Sequence, residues 1–139
     1  MSSRSEHISI RIDRSTSEVY DFAADPHNLP RWAAGLAGST VEHDGEQWFT
    51  DSPMGRVTFT FAPRNDFGVL DHDVTLPSGE TVYNPLRIIS DGDGCEAVFT
   101  LRHRPGMTDD DFQRDADAVA RDLASMKSLV ERGMPSTTA

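Results

Sequence analysis

The chain is 139 residues long, with 13 basic and 23 acidic side chains and a formal charge of −10. Outnumbered and scattered basic residues cannot build the phosphate-neutralising face that nucleic acid requires, and the same sign disfavours anionic membrane surfaces. A hydrophobic content of 37% with one cysteine, Cys95, describes a globular chain with a buried core, no intramolecular disulfide and no multi-cysteine zinc site.

The leader, residues 1–6, has no apolar signal-peptide core, and no later stretch reaches the roughly 20 apolar residues that span a bilayer. A cytoplasmic location without membrane insertion is therefore expected. Ile8, Ile10 and Ile12 alternate with Ser9, Arg11 and Asp13, the period of a half-buried strand. Ser15-Thr16-Ser17-Glu18 is a capping-box pattern opening a short helix through Val19, Tyr20, Phe22 and Ala23. Asp25-Pro26 repeats the start signal for a second short helix presenting Leu29 and Trp32, with Gly35 and Gly38 to end it.

From residue 39 to residue 104 the pattern is one of strands separated by turns at hairpin spacing. Asp44-Gly45, Ser52-Pro53-Met54-Gly55, Asn65-Asp66, Pro77-Ser78-Gly79-Glu80 and Asp91-Gly92-Asp93-Gly94 are the turn signals. Six strands lie around them, and with the first strand they predict a seven-stranded antiparallel sheet. The Asp91 to Gly94 turn lacks the rest of a calcium loop. Thr108 then caps a long helix whose first turn holds Asp109, Asp110 and Asp111, favoured there by the helix dipole. Phe112, Ala116, Val119, Leu123, Met126 and Val130 form its apolar stripe, with Asp115, Asp117, Arg121 and Asp122 assigned to the surface. Gly133 and Pro135 supply the stop.

The expected architecture is α+β: a curved seven-stranded antiparallel sheet wrapped round a long C-terminal helix, with two short helices after the first strand. One domain over residues 6–133 is expected, with tails at 1–5 and 134–139. Residues 8–13 with Val19-Tyr20-Asp21-Phe22, Asp25-Pro26 through Leu29-Pro30-Arg31-Trp32, and the pattern Phe112, Asp115, Leu123, Lys127, Glu131 carry a resemblance to a known superfamily. The chain resembles the polyketide cyclase/dehydrase branch of the START-like, or SRPBCC, superfamily, whose helix-grip fold is that of the major birch-pollen allergen. That resemblance implies the fold over nearly the whole chain, and a monomer or homodimer. It implies no catalytic residue, since lipid carriers, hormone receptors and cyclases share the fold.

A sheet curled round a helix leaves a mainly apolar cavity suited to a small hydrophobic molecule. Strand alternation points Val57, Phe59 and Phe61 inward, together with Cys95, Ala97, Phe99, Leu101 and His103. Leu70, His72 and Val74 share the inner face, opposite Asp71 and Asp73. Pairing Leu76 with Thr81 across the turn would set Val74 beside Tyr83 and bring Tyr83 to the face of His72. Asn84-Pro85 is expected to shift the phase, turning Leu86 and Ile88 inward and Arg87 outward; without that shift Arg87 would enter the cavity.

The candidate pocket residues are therefore Trp32, Val57, Phe59, Phe61, Leu70, His72, Val74, Tyr83, Phe99, Leu101, Val119, Leu123 and Met126. His72 and Tyr83 are the candidate catalytic pair, His72 as proton acceptor or polar anchor and Tyr83 as orienting hydroxyl, with structural roles in the core as the alternative for both. Met107, Met126 and Met134 are candidates for a pliable lining. No metal and no cofactor are expected, because ligand-spaced His/Cys sets and phosphate-cradling glycine loops are missing. Three functions remain: carrier of a small apolar or aromatic molecule, cyclase- or aromatase-like enzyme, and protein-interaction module. The acids fall in caps, turns and outward strand positions, so the expected interior is nearly uncharged.

Overall fold

The computed structural model describes residues 4–45, 47–52 and 55–133. Strand β1 (Ser5–Ile12) leads into α1 (Thr16–Ala24), a 3-10 turn (Pro26–Asn28), α2 (Leu29–Trp32) and a second 3-10 turn (Ala34–Leu36). Seven further strands follow: β2 (Glu42–Asp44), β3 (Gln47–Ser52), β4 (Gly55–Phe61), β5 (His72–Thr75), β6 (Thr81–Asn84), β7 (Leu86–Asp91) and β8 (Gly94–Arg102). Helix α3 (Asp109–Glu131) closes the order. Pro53, Met54, Met134 and Pro135, which figure in the expected turn, lining and helix stop, lie outside the described residues.

The helix starts obey their local chemistry. Ser15 Oγ accepts from Glu18 N at 3.2 Å, and Asp25 Oδ1 accepts from His27 N at 3.0 Å. Thr108 and Asp111 form a full reciprocal capping box on α3, each satisfying a backbone N–H of the first turn. The second helical segment differs from the single short helix expected. It is broken into a 3-10 turn, one turn of α-helix and another 3-10 turn, consistent with Pro26 and Pro30 withholding backbone donors from a continuous ladder.

The expected seven-stranded sheet is instead eight strands in two antiparallel sheets, ordered β1-β8-β7 and β2-β3-β4-β5-β6. Pro85 is the cause: it cannot donate to a ladder, so the predicted strand over residues 81–89 divides into β6 and β7. The sheets stay joined through the segment ahead of β5. Leu70 N donates to Leu86 O and Ile88 N to Gly68 O, both at 2.8 Å, and Val69 bridges Arg87. Gly68 has φ 73, and a Cβ there would collide with the Ile88 carbonyl, so this close approach requires glycine.

Helix α3, 23 residues long and so about 35 Å, runs across the inner faces. Its C-terminal end is tied to the end of β1: Lys127 Nζ donates to Arg11 O at 2.9 Å and Glu131 accepts from Asp13 N at 2.7 Å. The described core joins Ile12, Val19, Phe22, Leu29, Trp32, Phe59, Leu70, Leu86, Ile88, Phe99, Leu123, Met126 and Val130. Cys95 is fully buried among them, and burial raises its thiol pKa, as for an inert core residue.

Candidate functional site

Alternation places Phe59, Cys95, Ala97 and Phe99 inward and buried, with Val57, Phe61 and Leu101 half-buried against the same core. The interior they enclose is unevenly filled. Toward the C-terminal half of α3, Leu123, Met126 and Val130 meet residues of α1 and α2 and leave a solid core. Toward its N-terminal half a cavity of about 490 Å³ opens between the β5–β6 hairpin, β8 and α3. Val74 and Leu76 supply one wall, Val82 and the neighbouring β6 residues another, Phe99 and Leu101 the floor, and Ala118 and Val119 the helix side.

Of the residues expected at the pocket, Val74, Tyr83, Phe99, Leu101 and Val119 contribute to this cavity. Trp32, Phe59, Leu70, Leu123 and Met126 are core residues instead. Trp32 is 6% exposed. Its indole Nε1 is buried with no hydrogen-bond acceptor among the described residues. Their side chains, converging from different elements, pack into the core instead of standing open to a ligand.

The expected pairing of His72 with Tyr83 on one inner face is not formed. The hairpin closes through Leu76 N donating to Glu80 O at 2.8 Å and Gly79 N to Leu76 O at 2.8 Å, with Gly79 at φ 92. That is a loop over residues 77–79, one residue shorter than the turn assumed from the sequence. The register becomes Val74↔Val82, Asp73↔Tyr83 and His72↔Asn84. A one-residue slip reverses the face of every side chain, so Tyr83 stands on the face of Asp71 and Asp73, 51% exposed.

On that outer face Asp71 gathers four donors. Tyr83 Oη donates to Oδ2 at 2.8 Å, Leu86 N to Oδ1 at 3.0 Å, and Arg87 donates through Nε at 2.8 Å and Nη2 at 2.7 Å. The bidentate Arg87 guanidinium is the main reason the Asp71 carboxyl titrates at about 2, and its bond to Asp71 raises the Tyr83 hydroxyl. Arg87 therefore points outward, as the phase shift at Pro85 requires, and Leu86 and Ile88 are buried.

His72 is 7% exposed, stacked on Phe61 at 4.8 Å and edge-on to Phe99 at 6.5 Å between ring centroids. Its Nδ1 lies 2.9 Å from Leu70 O; a carbonyl only accepts, so Nδ1 carries the proton and Nε2 presents a lone pair. Burial lowers the imidazole pKa, favouring the neutral ring. His72 touches the cavity wall at Phe99 rather than lining it. With Tyr83 it borders a separate depression of about 290 Å³, where the Tyr83 hydroxyl is already committed to Asp71.

The interior also carries charge that the sequence reading assigned to the surface. Asp115 lines the cavity, and Asp122 is half-buried, accepting from Ala34 N at 3.1 Å, with burial raising its carboxyl pKa; Arg104, for which the sequence carried no expectation, lines the cavity as well. The signal was present for Asp115: it lies one helical turn before Val119 and therefore on Val119's face.

A family model described as polyketide cyclase / dehydrase and lipid transport matches residues 5–132. A comparison with curated proteins finds no match. Among solved structures, DynU16, from the dynemicin biosynthetic locus, superposes with a TM-score of 0.71 at 12% identity, over 94% of this chain and 48% of that protein. The chain thus spans about half the length of DynU16. Ara h 8.0201 gives 0.69 at 10% identity, over 95% and 100% of the two chains. The Aha1 dimer from Colwellia psychrerythraea gives 0.70 at 15% identity, over 94% and 98%. At such identities the likeness is one of fold, and the fold is the helix-grip architecture.

Proposed function

The chain belongs to the polyketide cyclase/dehydrase and lipid transport family, and from that premise we propose that it binds a small apolar or aromatic molecule in the cavity between the β5–β6 hairpin, β8 and α3. The observation that carries this reading is the cavity itself. At about 490 Å³ with Val74, Leu76, Val82, Phe99, Leu101 and Val119 on its walls, it has the size and lining of a small-molecule site. The solid core at the other end of α3 holds these walls in place.

The test is a thermal-shift titration with an aromatic probe on the wild type and on Ala118→Trp, which fills the cavity from the helix side. At a hundredfold excess over Kd the probe should stabilise the wild type by about 2.7 kcal/mol, with the shift abolished in the variant. Equal shifts in both proteins would place the ligand elsewhere and end this reading.

A cyclase-like activity is the second reading, favoured by one feature, the neutral His72 with its Nε2 lone pair available. It requires a poly-β-ketone analogue to be turned over by the wild type and left unchanged by His72→Gln with binding retained. Tyr83 takes no part in it, because its hydroxyl belongs to the outer face.

A further inference from the structure

Beside the cavity lies a cleft of about 340 Å³ that shares Arg104 and Asp115 with it. The two arginines of the cleft are committed to acids. Arg104 Nη1 holds Glu80 Oε2 at 2.9 Å, and Arg114 Nη1 holds Asp111 Oδ1 at 3.1 Å. Arg102, which also lines the cavity, donates from Nη1 to Ser5 Oγ at 3.2 Å. Asp115 differs from all of these: it is half-buried and has neither a hydrogen bond nor an ion pair among the described residues.

Its position on α3 gives that carboxylate a direction. Residues three and four apart on a helix are neighbours, so Asp115 stands beside Ala118 and Val119, at the point where the apolar cavity meets the polar cleft. A half-buried carboxylate at the cavity edge without a protein donor is an acceptor open to a ligand, and hydrogen bonds to ionised acceptors are among the stronger ones. On the Arg104 side an anionic ligand group would have to displace Glu80 while facing Asp115. A donor group meets an acceptor already in place.

We propose that Asp115 is the polar anchor of the cavity, accepting a hydrogen bond from a hydroxyl or ammonium group at one end of an otherwise apolar ligand. The inference rests on the reading that the cavity binds small apolar molecules, and it specifies the chemistry of the ligand's polar end. Glu80 and Arg104, paired to each other, form the rim past which that end reaches solvent.

Four naphthalene probes of similar shape test it by isothermal titration: ethylnaphthalene, naphthylethanol, naphthylethylamine and naphthylacetate, on the wild type, Asp115→Asn and Asp115→Leu. Asp115 has no polar partner to lose, so both variants should keep the wild-type Tm. On the wild type the alcohol and amine should bind about tenfold more tightly than ethylnaphthalene, and the acetate most weakly. Asp115→Leu should erase the donor preference while retaining ethylnaphthalene binding. Asp115→Asn separates the two donors, keeping the alcohol within about threefold of wild type and losing most of the amine's advantage. Equal binding of donors and ethylnaphthalene, a donor preference that survives Asp115→Leu, or tightest binding of the acetate would each remove Asp115 as the anchor and leave the cavity reading standing. Failure of all four probes to bind the wild type would remove the cavity reading and this inference with it.

Discussion

Along α3 the same helix meets two different interiors. In its C-terminal half Leu123 and Met126 are essentially inaccessible, packed in one core with Phe22, Leu29 and Trp32 of α1 and α2. In its N-terminal half Ala118 and Val119 face Val82 and Leu101 across open space. The apolar character of the two halves is similar, and the difference lies in what covers them. The short helices after β1 bring large side chains to one end, whereas at the other the β5–β6 hairpin contributes valines and a leucine that stop short of the helix. A helix-grip interior is thus a core and a binding site in series, with the division set by side-chain volume.

The largest effect should come from the solid end. Leu123→Ala removes a side chain that is 1% exposed and should lower the unfolding free energy by about 2–5 kcal/mol. Val119→Ala, on the cavity wall, should cost about 1 kcal/mol or less, because its surroundings are already open. Denaturant unfolding of the two variants checks the contrast, and equal losses would show that both ends pack alike.

The solid end also depends on a latch on the opposite side of the sheet. Leu86 and Ile88 point inward because Asp71 holds Leu86 N and Arg87 from outside. The folded-state pKa of Asp71 is about 2, below its value in an unfolded chain. Its contribution is therefore complete above the ordinary carboxylate range and is lost as pH falls from about 4 toward about 2. Asp71→Asn should lower stability at neutral pH by about 2 kcal/mol and flatten the stability profile across that acid window. A profile unchanged by the substitution would show that the latch contributes nothing.

The smallest expected effect concerns the outward tyrosine. The Tyr83 hydroxyl titrates above its ordinary range because it donates to Asp71. Ultraviolet difference titration in a Tyr20→Phe background should show that pKa return toward the ordinary tyrosine value when Asp71→Asn is added. A Tyr83 pKa indifferent to Asp71 would contradict the bond that holds its hydroxyl on the outer face.

What the sequence determines by itself is what repeats locally. Ile8, Ile10 and Ile12 announce β1, the stripe from Phe112 to Val130 announces α3, and Thr108 with its following acids marks where that helix starts. These follow from side-chain period and from capping chemistry within a single turn. The inward and outward sets on β4 and β8 follow in the same way, as does the outward turn of Arg87 beyond Pro85.

Register and volume were decided only in three dimensions. Whether Tyr83 joins His72 turned on one residue in a hairpin loop, and Gly79 at a positive φ closed the loop short. Asp71, correctly placed on the outer face, became buried because Arg87 and Tyr83 converge on it from β7 and β6. The cavity lies toward one end of α3 because Phe22, Leu29 and Trp32, remote in sequence from Leu123 and Met126, pack with them at the other. Periodicity is encoded within a few neighbouring residues, whereas register depends on counting across a turn and free volume on side chains that meet only after the chain has folded.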